Sequence, residues 1–90
     1  GVTVRGEPVA GVVNAPFSRS TVWGAVGLGV FGLQRCLPAP GRRWIVTSRS
    51  HITEQLRQII EAMRAEKVLH VGGAGSKGIM VLEGKADVYL

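Results

Sequence analysis

The chain has 90 residues, of which 46% are hydrophobic and 19% are charged. This apolar share argues against an intrinsically disordered chain, and the length allows at most one small domain. Eleven Lys and Arg residues against six Asp and Glu residues give a formal charge of +5, which favours anionic ligands. The basic residues are dispersed along the chain without an arginine-rich run, so we expect no nucleic-acid polymer as partner.

The single cysteine and the lack of long apolar runs set expectations about the environment of the protein. Cys36 cannot form an intrachain disulfide, and this favours a reducing compartment such as the cytoplasm. Since no apolar run reaches the roughly 18 residues that a spanning helix needs, we expect no membrane partner. Gly1 is not a natural start, so we expect a fragment of a longer protein.

Short β-strands with tight turns are predicted for residues 1–37. The predicted strands are Val2–Val4, Val9–Asn14, Thr21–Leu28 and Val30–Leu33. Glycines at 27 and 29 mark a turn or bulge, and Pro16 is expected to end the second strand. Short connections of this kind favour antiparallel pairing, so residues 1–37 are predicted to form the antiparallel strands of a first sheet.

Residues 44–90 show a different pattern, in which strands and helices alternate after a Pro/Gly linker at residues 38–43. The predicted elements are strand Trp44–Thr47, helix Thr53–Ala65, strand Lys67–Val71, helix Ser76–Glu83 and strand Ala86–Leu90. Thr53 is the expected N-cap of the first helix, and Gly84 is the expected stop of the second. A β-α-β-α-β order predicts a parallel sheet with right-handed crossovers, so the overall fold class is α/β (α+β).

Two polar clusters follow the first two strands of this parallel sheet. Ser48–His51 comes after the strand Trp44–Thr47, and Gly72–Lys77 comes after the next strand. Ligands in open α/β sheets bind beyond the carboxyl ends of the strands, so the two clusters are expected to meet in one crevice. Glycines permit close approach to backbone N–H groups, and a helix start and a lysine add positive charge. The pattern predicts a site for a phosphate-bearing ligand.

Simpler interpretations remain open for each of these residues. Lys77 alone could be a solvated residue, His51 alone could be structural, and Ser48 could be an ordinary turn residue. Gly73-x-Gly75-x-x-Gly78 formally matches a dinucleotide fingerprint, but the acidic residue expected about 20 positions later is missing. A P-loop is a poorer match, because Gly78 follows the lysine.

The sequence offers few candidate catalytic residues. The carboxylates are Glu7, Glu54, Glu61, Glu66, Glu83 and Asp87. No pair of them has the spacing of a two-metal site, and neither histidine has a thiol or carboxylate neighbour in sequence that would suggest a triad. His70 is expected to be a packed or edge residue, Trp23 and Trp44 core residues, and Cys36 inert.

Several segments together resemble a known family. They are Val9–Pro16, Thr21–Gly32, Ser48–His51 and Val71–Lys77, and Gly84–Tyr89 is similar to a further strand. Segments of this kind occur in the same order in the 3'(2'),5'-bisphosphate nucleotidases. These belong to the superfamily of magnesium-dependent, lithium-sensitive phosphatases that includes inositol monophosphatase. The likeness covers nearly the whole chain, and the Arg-Ser-His and Gly-Gly-Ala-Gly-x-Lys pair is fairly specific for the nucleotidases.

The resemblance implies a fold, an activity and a set of binding residues. The family fold is a layered α-β-α-β-α sandwich, of which residues 44–90 would be the α/β half with the nucleotide-binding loops. The family removes the 3'-phosphate of adenosine 3',5'-bisphosphate to give AMP, a reaction of sulfur metabolism, and some members act on inositol polyphosphates. Carried over by motif, the nucleotide would be held by Ser48, His51, Gly73 and Lys77.

The chain departs from the family pattern at the metal site. The family binds Mg²⁺ through a glutamate and an Asp-Pro-Leu-Asp-Gly-Thr segment before this region and through an aspartate after it. The resemblance therefore implies Mg²⁺ ligands outside this chain and no phosphatase activity of the chain alone. Alternatives are an inositol polyphosphate 1-phosphatase-like enzyme, a non-catalytic nucleotide-binding fragment and a dinucleotide-binding module.

Overall fold

A computed structural model describes residues 1–15, 19–50 and 52–90. The chain divides into two compact units, Gly1–Gln34 and Arg35–Leu90. The functional division into residues 1–37, 38–43 and 44–90 stays a prediction. In the part of the chain just given, no helix is both long and apolar enough to cross a membrane.

The first unit contains an antiparallel sheet of four strands in sequential order. The strands are β1 (Val2–Val4), β2 (Glu7–Ala15), β3 (Ser20–Ala25) and β4 (Gly29–Phe31). The predicted hairpins are therefore confirmed, although the expected stop at Pro16 lies outside the described residues. β3 ends earlier than predicted, because the Leu28 N–H donates to the Ala25 carbonyl at 3.0 Å and Gly27 takes a φ of 82°. A hydrogen bond across three residues together with a positive φ is typical of a turn, so the strand does not continue to Leu28.

Adjacent residues of β3 have different surroundings. Val22 is 5% exposed, whereas the neighbouring Trp23 is 45% exposed. Successive side chains of a strand point to opposite faces, and Trp23 stacks on its cross-strand partner Phe31 with ring centroids 4.5 Å apart. The prediction that Trp23 is a core residue is therefore wrong in this chain.

The second unit contains a parallel sheet of three strands in the order β6-β5-β7, which confirms the predicted α/β pattern. The elements are β5 (Trp44–Thr47), α1 (Glu54–Ala62), β6 (Lys67–His70), α2 (Ala74–Leu82) and β7 (Val88–Tyr89). Residues 45–47 of β5 are fully buried. Because neighbouring side chains point to opposite faces, the burial of all three shows that both faces of the central strand are covered.

The two helices begin and end differently from the predicted bounds. α1 is capped by Thr53, whose hydroxyl accepts a hydrogen bond from the Leu56 N–H at 3.1 Å, as predicted. α1 ends at Ala62, since Arg64 takes a φ of 52°, which a helix cannot continue through. Gly84 follows the end of α2 with a φ of 78°, which confirms the predicted stop.

Trp44 begins β5 and is half-buried. The Arg42 guanidinium lies 4.2 Å from its ring centroid and the Lys67 ammonium lies 4.7 Å from it. Trp44 thus contacts two cations at the amino end of the sheet, which differs from the predicted core position.

Candidate functional site

Two loops meet at the carboxyl edge of the parallel sheet. Loop A, residues 48–50 and 52, follows β5, and loop B, residues 71–73, follows β6. The Val71 N–H donates to the Thr47 carbonyl at 2.9 Å, and Nδ1 of His70 lies 3.3 Å from the Ser48 carbonyl oxygen. These contacts arise because β5 and β6 pair in parallel register up to Thr47 and His70. His70 is exposed at the end of an edge strand, which agrees with the edge alternative and not with a packed residue.

Gly73 sets the beginning of α2. It is the N-cap residue with φ 83° and ψ 123°, and it makes no side-chain capping bond. The first backbone bond of the helix runs from the Lys77 N–H to the Gly73 carbonyl at 3.2 Å. α2 therefore begins at Ala74, two residues before the predicted start, because Gly73 alone makes the turn. The N–H groups of the first turn have no intrahelical acceptor and point beyond the end of the helix.

Lys77 lies in the first part of α2 and is only 3% exposed. Its Nζ donates to the Val71 carbonyl oxygen at 3.2 Å and lies 5.3 Å from the ring centroid of Tyr89. No carboxylate forms an ion pair with Lys77 within residues 1–15, 19–50 and 52–90. A buried cation that lacks a counter-ion is costly, and an anionic ligand at loop B would remove that cost.

The four predicted binding residues are placed as follows. Gly73 and Lys77 lie together at the start of α2, and half-buried Ser48 contacts the end of β6 through its carbonyl oxygen. His51 lies outside the described residues. Their contact with a nucleotide stays a prediction.

Three further residues at this edge were not among the four predicted binding residues. Thr47 is fully buried, and its Oγ1 has no hydrogen-bond partner among the described residues. The Arg49 guanidinium lies against Gly72, where a Cβ atom would be only 2.6 Å from Nη2. Arg49 and Gly72 lie in the two polar clusters of the sequence, but the sequence does not show that the Arg49 side chain is the neighbour that requires a glycine at 72.

The described part of the chain does not fit a metal site. No group of three His, Cys, Asp or Glu residues is placed there to hold a metal ion. A cavity of about 380 Å³ in the second unit is lined by Cys36, Val81 and Gly84 among others, near the C-terminal end of α2. Loop B precedes the other end of that helix, so the candidate site lies apart from this cavity.

The inositol monophosphatase family model matches residues 1–90. The chain belongs to the inositol monophosphatase family. The mouse protein named 3'(2'),5'-bisphosphate nucleotidase 1 is 38% identical over 100 residues, which cover 100% of this chain and 32% of the relative. The Danio rerio protein named inositol monophosphatase 3 is 32% identical over 97 residues, covering 99% of this chain and 28% of the relative. The chain thus spans about a third of the length of these relatives.

The fold of the family is shared as well. The solved structure of inositol monophosphate-bound SaIMPase-II matches with a TM-score of 0.68 and covers 97% of this chain and 37% of that one. The sequence identity is 19%, so this likeness concerns the fold alone. It agrees with the mixed α/β architecture of an antiparallel and a parallel sheet.

Proposed function

We propose that this chain is the nucleotide-holding part of a 3'(2'),5'-bisphosphate nucleotidase. The full enzyme removes the 3'-phosphate of adenosine 3',5'-bisphosphate and gives AMP. The observation that carries the proposal is the buried Lys77 beside loop B, which forms no ion pair with a carboxylate of the described residues. The 38% identity to the mouse nucleotidase supports the choice of substrate.

Each element at the carboxyl edge has a proposed role. Lys77 supplies a full positive charge and two N–H bonds beyond the one that it donates to Val71. Gly73 keeps the first turn of α2 open to an oxyanion, because no side chain caps that turn. Ser48 of loop A and His51 hold the nucleotide. Binding through fixed donors would orient the phosphate without large rearrangement of the loops.

The proposal includes Mg²⁺, whose ligands lie outside this chain. The described residues hold no cluster that fits the metal, so no chemical step is assigned to them. We propose accordingly that the chain alone does not turn over substrate. Lithium sensitivity, a role in sulfur metabolism and a cytoplasmic location belong to the same proposal.

An inositol phosphate is the second candidate substrate. It is favoured by the 32% identity to the Danio rerio protein named inositol monophosphatase 3. Loops A and B bind phosphate in either case, so the two candidates differ in what loop A contacts beyond the phosphate.

Titration calorimetry in EDTA separates these candidates. The nucleotidase proposal expects AMP and adenosine 3',5'-bisphosphate to bind, and inositol 1,4-bisphosphate to bind at least about tenfold more weakly, which corresponds to 1.4 kcal/mol. Tighter binding of the inositol ligand would favour the second candidate. If a folded sample binds neither ligand, the proposal is wrong. A phosphate-release assay with Mg²⁺ tests the expected inactivity of the chain alone.

A further inference from the structure

Gly72 and Gly73 are adjacent but are glycines for different physical reasons. Gly73 has a φ of 83°, which L-residues rarely adopt. Gly72 is not among the positive-φ glycines of the described residues, so a left-handed backbone is not what requires glycine there. A Cβ at Gly72 would instead lie 2.6 Å from Nη2 of Arg49, 3.3 Å from Nε and 3.4 Å from Cζ. The space at Gly72 is therefore the space that the Arg49 guanidinium fills.

The Arg49 guanidinium lies at loop B and has no polar side-chain partner among residues 1–15, 19–50 and 52–90. Among the described residues it forms neither an ion pair with a carboxylate nor a side-chain hydrogen bond. Arg49 as a whole is an exposed residue, so solvent reaches its side chain. Two cationic groups thus contact neighbouring residues of loop B: the Arg49 guanidinium lies against Gly72, and the Lys77 ammonium donates to the Val71 carbonyl.

We propose that Arg49 is a further ligand-binding residue, whose guanidinium binds a phosphate oxygen of the nucleotide at loop B, and that Gly72 admits it there. The inference rests on the proposed function, since it names an additional contact in the same site. A planar guanidinium presents paired N–H donors that match phosphate oxygens. Together with Lys77 it would neutralise a phosphate dianion.

A purely structural role for Arg49 makes a different prediction. If the guanidinium only covers loop B, its removal would affect all ligands alike or change stability alone. A phosphate contact, in contrast, weakens the binding of AMP and leaves that of adenosine unchanged. Stacking of Arg49 on the base would weaken the binding of both ligands.

The test measures the affinities of AMP and adenosine by NMR titration, with EDTA present, for the wild type and the variants Arg49→Ala, Arg49→Lys and Gly72→Ala. We expect Arg49→Ala to weaken AMP binding about tenfold, the scale of one charge-assisted hydrogen bond. Arg49→Lys should recover part of that loss, because it keeps the charge but not the planar fork. Gly72→Ala should weaken AMP binding several-fold by displacing the guanidinium, since the tip of a long side chain can move.

A double variant and two matched controls complete the design. Gly72→Ala should have no additional effect in the Arg49→Ala background, because both changes remove the same contact. Arg57→Ala removes an exposed arginine of α1, and Gly78→Ala adds a Cβ into open space in α2; both should leave AMP affinity within about twofold. The NMR spectrum of each variant reports its folding.

The outcomes separate this inference from the proposed function. If Arg49→Ala binds AMP as tightly as the wild type does, the proposed role of Arg49 is wrong, but the proposed function is unaffected. The same holds if Arg49→Ala weakens the binding of adenosine as much as that of AMP. Additive effects in the double variant overturn the link between Arg49 and Gly72. A folded wild type that does not bind AMP overturns the proposed function, and this inference with it.

Discussion

The amino and carboxyl edges of the parallel sheet differ in how their charges are paired. At the amino edge, Nε and Nη2 of Arg42 donate to the Asp87 carboxylate at 2.9 and 3.0 Å, and the Trp44 N–H donates to the same carboxylate at 2.8 Å. At the carboxyl edge, Arg49 and Lys77 form no ion pair with the described carboxylates. The two edges belong to the same three strands, so the difference arises from the side chains and not from the sheet.

This difference separates charges that hold the fold from charges that are open to a ligand. The hydrogen bond from Arg42, followed by the one from the Trp44 N–H, holds the pKa of Asp87 below its usual value. The same bond to Asp87 raises the pKa of Arg42. Such mutual stabilisation joins the residues before β5 to those before β7. At the carboxyl edge an anion from outside the described residues would have to supply the equivalent stabilisation.

The largest expected effect is the loss of AMP binding in Lys77→Met. We expect the affinity to fall about tenfold or more, because a charged hydrogen bond of roughly 1.5–3 kcal/mol is removed. Stability should be unchanged or higher, since an apolar side chain of similar length replaces a buried cation. Calorimetric titration and thermal unfolding measure the two quantities.

Lys67→Met is the matched control for that variant, because Lys67 lies at the opposite edge of the sheet, above Trp44. Its AMP affinity should equal that of the wild type. Equal losses of affinity in both lysine variants would show that net charge, and not the position of Lys77, determines binding. The inferred difference in ligand binding between the two edges of the sheet would then be wrong.

The second effect is a loss of stability in Gly73→Ala. An alanine at φ 83° and ψ 123° is strained by about 1–3 kcal/mol. Its Cβ would meet the Ser76 side chain at ordinary distances, 3.6 Å from Oγ and 3.9 Å from Cβ. Urea unfolding should show this loss, together with weaker AMP binding. Gly78→Ala in the same helix should instead gain about 0.5–1 kcal/mol, because the helix favours alanine over glycine. Equal stability of both variants would contradict the role of the backbone at Gly73.

A smaller loss of stability is expected at the other helix of this edge. Thr53→Ala should cost about 1 kcal/mol, since the bond to the Leu56 N–H is lost. Thr53→Ser keeps an oxygen in the same place and should retain most of that stability. The AMP affinity of both variants should equal that of the wild type, because Thr53 is not among the proposed ligand contacts. A clear loss of affinity in Thr53→Ala would extend the ligand site to α1.

The smallest effect is a change in the pH dependence of stability that arises from the amino edge. The pKa of Asp87 is lower in the folded chain than its ordinary value of 3.8. Its contribution is therefore complete above pH 3.8 and is lost as the pH falls through the folded value. Thermal unfolding of the wild type between pH 7 and pH 2 should show this fall, and Asp87→Asn should reduce it. An identical acid slope in both proteins would contradict the coupling of Arg42 to Asp87.

The sequence predicted the elements of the second unit better than the details of the site. Thr53 is a local N-cap and Gly84 a local stop, and each acts through neighbours within a few residues, so the pattern was sufficient. Trp23 was wrongly placed in a core, because exposure depends on what covers each face of a sheet. The start of α2 was misplaced by two residues, since glycines at 72, 73 and 75 look equivalent in the sequence.

The sequence by itself determined the class of fold and the two loops, because periodicity, caps and turn glycines act over short distances along the chain. Only the tertiary structure decided which charges are paired. Arg42 and Asp87 are far apart in sequence and meet because β5 and β7 are neighbours. Arg49 reaches Gly72 because β5 and β6 end at the same edge. Pairing depends on distances of a few ångströms between strands, and these distances are set when the sheet assembles.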